Sequence, residues 1–323
     1  MAKGPGKSAW YAGVFLLLTI FYLPLSSEGA VIKVTQNGAG NRDGTSWDHA
    51  YGEAEFRQNL NNSPVGTEFW VAAGKYRPST TGDKTWYFVL DPGVSLYGGF
   101  TGTETSRNQR NWRTNVTVLT GDLDFNDTVD ARGVTRKASD INTAGNGNSI
   151  RVLYAYGQGG VLDGFTVTAG YALNDDGGGM MDVQSSVTIR NCTFAGNFSS
   201  QTGGGFYSTK SFSALENCVF SGNKAQWGGG MYTDDSASVM DGCTVTENEA
   251  VYGGGMAATN SHVPEVKNCT FSKNTSSDRG GGMYTSNSAK VSSSTFTENS
   301  ASDGGGMFCI GYAPTVTNCT FSG

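Results

Sequence analysis

Carboxylates are the first chemical candidates in this chain. Paired acids hydrolyse glycosidic bonds, and clustered acids with calcium and a basic residue support β-elimination. Asp163 and Asp241 share one position of a repeat but stand three units apart, with Arg190 and Glu216 between them. Asp176, Asp278 and Asp303 each precede a glycine run, yet units carrying Thr202, Trp227 and Tyr252 separate the first from the other two. No acid trio converges, so these residues read as solvated surface and no catalytic residue is assigned. The run Asp122-Leu123-Asp124-Phe125-Asn126-Asp127 alternates oxygen ligands as a calcium loop does. An EF-hand wants Gly at its sixth position and Glu at its twelfth, where this chain has Asp127 and Gly133. A polar loop is the expected reading, with a looser Ca2+ site as the alternative; no other cofactor or metal is expected. His49 and His262 lie in different regions and assemble no Ser/His/Asp arrangement. His49, beside Trp47 and Asp48, reads as turn structure.

Recognition is the other chemistry on offer. Met181, Tyr207, Tyr232, Ala257, Tyr284 and Phe308 recur one residue after an inward-reading Met or Phe, so they should face outward. Trp227 and Tyr252 occupy neighbouring units just before their glycine runs. Exposed rings in register stack on sugar rings or bind a protein edge. Tyr207, Tyr232, Tyr284, Trp227 and Tyr252 are therefore the candidate ligand-binding residues. The structural alternative is an aromatic ladder that stabilises its own strands. The partners this implies are cell-surface glycans or proteins of a host or neighbouring surface.

These side chains can act together only if repeated elements bring them into register. Gly-Gly-Gly followed by Met or Phe starts at Gly177, Gly203, Gly228, Gly253, Gly280 and Gly304, a period of about 25 residues. A second motif, Asn191-Cys192-Thr193-Phe194 and its echoes at Asn217, Gly242, Asn268, Ser293 and Asn318, keeps the same period. Two motifs locked to one such period mean a solenoid, whose function comes from columns of stacked residues. The units are rich in Gly, Ser, Thr and Asn, poor helix formers, and their apolar residues alternate with period two. Leu162, Ile189, Leu215, Met240, Val266, Val291 and Val316 are all apolar; Asp163, Arg190, Glu216, Asp241, Lys267, Ser292 and Thr317, next in line, are all polar.

The alternation then slips by one, because Cys192 and Phe194 follow Ile189. Such a slip flips side chains across a sheet unless the backbone bends. The bend falls at Gly164, Asn191, Asn217, Gly242, Asn268, Ser293 and Asn318, mostly residue types that tolerate the left-handed conformation of a tight corner. The pattern is a strand, a corner with a stacked Asn ladder, a second strand, and a third strand begun by Gly-Gly-Gly-Met after a longer turn. Three short strands per coil make an all-β, parallel β-helix solenoid. Its interior columns are aliphatic, thiol (Cys192, Cys218, Cys243, Cys269, Cys319), aromatic (Phe194, Phe220, Phe271, Phe296, Phe321) and Met (Met180, Met231, Met256, Met283, Met307). The thiols read as small core residues rather than disulfide partners or metal ligands, with Cys309 outside the column.

Composition narrows the partners. A formal net charge of −6 with 15% charged residues argues against nucleic acid, which needs basic patches. Residues 1–30 carry Lys3 and Lys7, the apolar run Val14–Leu23 and a small-residue exit, the pattern of a cleaved signal peptide. The chain is thus expected to be secreted or displayed on the outer membrane, with no transmembrane helix in the mature protein. Residues 31–160 are expected to form the cap and irregular first coils, with strand runs at 68–73, 87–90, 94–97, 116–119 and 150–153, a short capping helix over 51–60, and a polar loop, 122–148, projecting outward. Residues 161–323 are the regular repeats. They stop inside a repeat, so the sequence is expected to be a fragment of a longer chain.

The pairing of Gly-Gly-Gly-Met with Phe-x-x-Asn (Phe194–Asn197, Phe220–Asn223, Phe271–Asn274, Phe296–Asn299) resembles the polymorphic outer membrane protein repeat. Two departures stand: the third glycine replaces the usual Ala, and Val245 replaces one Phe. Gly44-Thr45-Ser46-Trp47, Trp70–Tyr76 and Leu96–Glu104 look like the N-terminal part of secreted bacterial proteins with the right-handed parallel β-helix, or pectin-lyase-like, fold. The resemblance implies that fold and export to the cell surface. It leaves activity open, since one fold hosts many functions. The reading that results is a non-enzymatic, adhesin-like stalk or binding surface; the alternative is a polysaccharide lyase or glycoside hydrolase of the same fold.

Overall fold

Period-two alternation broken at fixed corners coils the described residues into three long parallel sheets and two short two-stranded ones. The computed structural model describes residues 29–144, 147–260, 264–286 and 288–323. The first sheet has ten strands, from Val31–Val34 to Thr315–Thr317; the second has eight, from Phe88–Leu90 to Met307–Cys309; the third has nine, from Gly74–Tyr76 to Thr320–Ser322. Every strand pairs in parallel with the equivalent strand of the next coil. The signal segment, apart from its last two residues, and His262 lie outside the described residues.

The expected columns hold in register. Ile189 pairs with Leu162 and Leu215, and the column runs on through Met240, Val266 and Val291 to Val316. It also continues backward through Leu96 and Phe69 to Ile32, so the aperiodic first coils share the same core. Phe194 and Phe220 stack with centroids 5.0 Å apart, and Phe271 and Phe296 at 4.7 Å. Phe206 stands in the Met column between Met180 and Met231. Cys192, Cys218 and Cys243 are buried, and each thiol donates to a carbonyl of the preceding coil at 3.4–3.5 Å. Burial pushes the Cys192 thiol up to about 12. The helix Glu53–Leu60 closes the end of the core, laying Phe56 5.5 Å from Phe69 and from Phe88.

All seven corner residues from Gly164 to Asn318 have positive φ, Ser293 included at 49°. The stacked, buried amide ladder, however, is not at this corner, where the Asn191 column is half-exposed or exposed. It lies at the next one: Asn197, Asn223, Asn248 and Asn274 are 0% exposed. The Nδ2 of Asn223 donates back to the Phe194 carbonyl at 2.9 Å and forward to Oδ1 of Asn248 at 3.0 Å. Oδ1 of Asn248 also accepts the backbone N–H of Asn223. Both corners are two residues long: at the first the positive-φ residue is Asn191, half-exposed, and Cys192 turns inward; at the second the positive-φ residue is Gly196, and Asn197 turns inward.

The third glycine of each of the first five triplets faces that ladder. A Cβ on Gly205 would sit 2.6 Å from the Gly230 carbonyl oxygen and 2.9 Å from Nδ2 of Asn223. The Gly triplet and the Phe-x-x-Asn motif are therefore two halves of one packing contact.

The loop expected to project outward instead lies back on the third sheet. Val134 and Thr135 are buried, and the Thr135 carbonyl accepts from the Thr168 hydroxyl at 2.8 Å. The Ala138 N–H donates to the Gly222 carbonyl. Burying Val134 against Val118 and Ala195 draws the loop down.

Replacing Asn248 by Ala leaves the Phe220 carbonyl, the Asn223 N–H and the Asn223 amide without their partners. Urea unfolding should show a loss of about 3 kcal/mol or more, with the midpoint falling at nearly constant slope. Asn268→Gly, at the exposed corner where Gly242 already stands one coil away, should stay within about 1 kcal/mol of the parent.

Candidate functional site

The second sheet places three of the five candidate aromatics, Tyr207, Tyr232 and Tyr284, on one face. Met180, Met231, Met256 and Met283 point into the core, so the next residue in each strand faces out. Tyr207 pairs with Tyr232, Tyr232 with Ala257, Ala257 with Tyr284, and Tyr284 with Phe308. The column also extends back through Met181 to Tyr154, an aromatic that the glycine period does not reach.

Ala257 divides this face into two clusters. Tyr207 and Tyr232 stack at 5.7 Å with planes 8° apart, both half-buried. Beyond them, Trp227 and Tyr252 come from the turn before the glycine runs, where they pair across neighbouring coils and stack at 4.1 Å. The small Ala257 side chain leaves room for them to fold down. Both meet Tyr284 edge-on, at 5.3 and 5.9 Å, and cover it. Tyr284 is thus 6% exposed, facing outward but roofed over, and acts as the floor of the cluster rather than as a contact surface. Phe308 stacks on Tyr284 at 5.8 Å beneath the Arg279 guanidinium, 5.1 Å away.

Polar groups rim these rings. The Tyr232 hydroxyl and the Thr259 hydroxyl share a 2.6 Å hydrogen bond, and Thr259 and Asn260 both donate to Asp234. Burial pushes the Tyr207 phenol up to about 12 and raises that of Tyr232. The Asp278 carboxylate beside Tyr252 raises its phenol as well. All three rings therefore stay neutral and keep a hydroxyl that can donate. Flat apolar faces beside fixed hydroxyls and carboxylates suit a pyranose ring, which has an apolar face and a polar edge.

The acids beside the rings are Asp176, Asp234 and Asp278; the other acids singled out by the repeat are held elsewhere. Asp163, read from sequence as solvated, is 1% exposed. The segment 106–116 crosses over it and brings Arg110 to 2.6 Å, while Arg190 stands at 2.7 Å and the Asn191 amide donates at 2.9 Å. Its carboxyl lies below the usual range: these partners outweigh the larger opposing effect of burial. Asp241 pairs with Lys267 at 3.4 Å. Asp182 lies wholly inside the coil, where the hydroxyls of Ser185, Ser208 and Ser213 donate to it. Sequence reading missed this interior group. The signal was the position two residues after each Met-column residue, which reads Asp182, Ser208, Thr233, Ala258 and Thr285, small or polar throughout.

The Asp122–Asp127 run holds its own loop. Asp122 accepts the backbone N–H of Asn126 at 3.2 Å, and Asp127 accepts from the Asn142 N–H at 2.7 Å and the Asn148 amide at 2.8 Å. Among the described residues no group of three His, Cys, Asp or Glu side chains is arranged to hold a metal ion. His49 accepts the Asn41 N–H at 3.3 Å within a local turn.

Burial, with Asp122 and Asp124 nearby, pushes the Asp127 carboxyl up to about 6. Asp122 and Asp182 are also raised, chiefly by burial. The folded protein binds these protons more tightly than the unfolded chain, so stability rises as pH falls through about 6 and levels off near the ordinary Asp value of about 3.9. Asp163 acts in the opposite sense, but only below that value. Thermal midpoints should therefore be higher at pH 5 than at pH 7.5, and Asp127→Asn should shrink the difference.

Comparison with known proteins gives the same architecture. The family described as "Right handed beta helix region" matches residues 151–321, more than half of the chain. No curated protein matches. Among solved structures, pectate lyase Pel9A is similar at TM-score 0.44 and 10% identity, over 91% of this chain and 78% of that one. YbhC of Escherichia coli is similar at TM-score 0.44 and 12% identity, over 99% of this chain and 90% of that one.

Proposed function

The chain belongs to the right-handed β-helix family, and from that premise we propose that it is an exported, non-enzymatic binding protein whose aromatic face takes carbohydrate, in the manner of an adhesin. The observation that carries this reading is the pair of stacked clusters, Tyr207–Tyr232 and Trp227–Tyr252, rimmed by Asp234 and Asp278. Rings held in register by the coil spacing offer successive platforms along one axis, which suits an extended chain of sugars better than one small molecule. Export rests on the basic and apolar pattern of the first 30 residues. Surface display is supported by the likeness of the Gly-Gly-Gly-Met and Phe-x-x-Asn motifs to polymorphic outer membrane protein repeats. No helix among the described residues is long and apolar enough to cross a membrane.

The test is to titrate the purified protein with a panel of neutral and acidic polysaccharides, with and without calcium, while following reducing ends and unsaturated uronide absorbance. Binding without turnover is expected. Tyr207→Ala with Tyr232→Ala should weaken it about tenfold, equivalent to about 1.4 kcal/mol, and Trp227→Ala should do the same. Depolymerisation of any member of the panel would replace this reading with the lyase or hydrolase one.

A further inference from the structure

A concave site lies on another sheet, away from the aromatic face. The corner column Gly164, Asn191 and Asn217 and the outward residues Thr166, Thr193 and Val219 of the third sheet form its floor. The segment around Trp112 and Arg113 makes one wall; Arg132, Val134 and Arg136 of the folded-back loop make the other. The cleft encloses about 370 Å3, within the range of small-ligand sites.

Its charge runs against that of the molecule. The chain has 28 acidic and 22 basic residues, yet the lining holds three arginines and no carboxylate. Arg113 and Arg132 have no ion pair among the described residues, while Arg136 is paired with Asp130. Arg190 and Arg110 meet at Asp163 beside the floor, two guanidinium groups to one carboxylate.

The glycines beneath the loop indicate that this wall has a dedicated seat. Gly196 and Gly222 follow the third-sheet strands with φ of 60° and 61°, and the same column continues as Glu247, Lys273 and Glu298 at 54–55°. The left-handed conformation therefore does not itself demand glycine here. Close approach does: a Cβ on Gly196 would meet the Thr135 carbonyl oxygen at 2.3 Å, and one on Gly222 the Arg136 carbonyl oxygen at 2.1 Å. Glycine stands where the loop lies and gives way to charged residues beyond it. On the opposite wall, Gly164 makes room for Trp112 in the same way, since its Cβ would fall 2.9 Å from that of Trp112. Arg110 then holds the indole from 4.9 Å.

We propose that this cleft binds an oxyanion, sulfate or carboxylate, carried on a small sugar. Guanidinium groups on both walls match a two-oxygen acceptor. The half-exposed faces of Trp112, Val116 and Val219 supply apolar surface for the body that carries it. The site is independent of the aromatic face.

Calorimetric titration of the purified protein with a sulfated or uronic disaccharide tests this. Inorganic sulfate, an uncharged disaccharide and a short single-stranded RNA serve as the other arms. Binding that weakens with salt is expected, with at least a tenfold loss in the double variant Arg113→Ala, Arg132→Ala and no change in Asn268→Gly, which lies outside both surfaces. Gly222→Glu, which repeats the Glu247 of the next coil, should unseat the loop and abolish binding while leaving the β-sheet circular dichroism unchanged. Equal affinity for the uncharged sugar, competition by inorganic sulfate at the same concentration, tighter binding of the RNA, or a double arginine variant within twofold of the parent would each overturn the proposal.

Discussion

The buried asparagine ladder is the contact from which the other regularities of this solenoid follow. A parallel coil leaves backbone groups unpaired wherever a turn departs from the sheet, and inside a dry core each such group is costly. Each asparagine from Asn223 to Asn274 donates to a carbonyl one coil back and to the next amide oxygen, and that oxygen also takes a backbone N–H. The ladder thus satisfies two turns with one side chain and fixes the coils' register along the axis. A one-residue slip within a coil would take its amide out of the column. The ladder also dictates the Gly triplets, whose third member must lack a Cβ to clear the amides. Once that glycine is placed, the Met-column residue after it points inward and the following ring points out.

The aromatic face and the arginine cleft both exploit places where the repeat departs from its own pattern. On the second sheet the departure is subtractive: Ala257 stands where neighbouring coils carry Tyr232 and Tyr284, and Trp227 and Tyr252 settle over the gap. On the third sheet it is additive: a loop from an early coil returns to cover two later ones, seated on glycines that the following coils do not keep. A perfectly repeated solenoid would offer flat ladders. Both surfaces proposed for recognition arise where one coil carries a smaller residue or an adjacent segment folds back.

The sequence makes the fold legible in unusual detail because each interior column samples one position many times. The aliphatic, thiol, aromatic and Met columns and the left-handed corner can all be read from residue type, and Ser293 shows that the register imposes that corner even where the residue does not favour it. Tyr207 and Tyr232 are legible for the same reason. What the period does not record is how a column is covered from outside it. Tyr284 reads as exposed but lies under two rings from a different turn. Asp163 reads as solvated but lies beneath Arg110, 53 positions earlier in the chain. The Asp122–Asn148 loop reads as projecting, since nothing in its own composition names the glycines that receive it. Asn197 and its successors are visible as a motif, yet their burial depends on which residue of a two-residue corner turns inward.

These misplacements share one cause. Alternation reports which side of a strand a residue is on; it carries no information about what reaches that side from elsewhere. In a β-helix the inside is defined by the coil itself, so inward assignments survive, and even the charged Asp182 obeys them by collecting serine hydroxyls from successive coils. The outside is defined by excursions that belong to no repeat. The arginine cleft is the extreme case. Its three guanidinium groups come from two excursions, 106–116 and 128–141, and its floor comes from three consecutive coils. Net charge and charged fraction average over the whole chain and dilute such a cluster to invisibility. A locally basic cleft on a globally acidic solenoid is therefore a property that only the folded path of the chain can create.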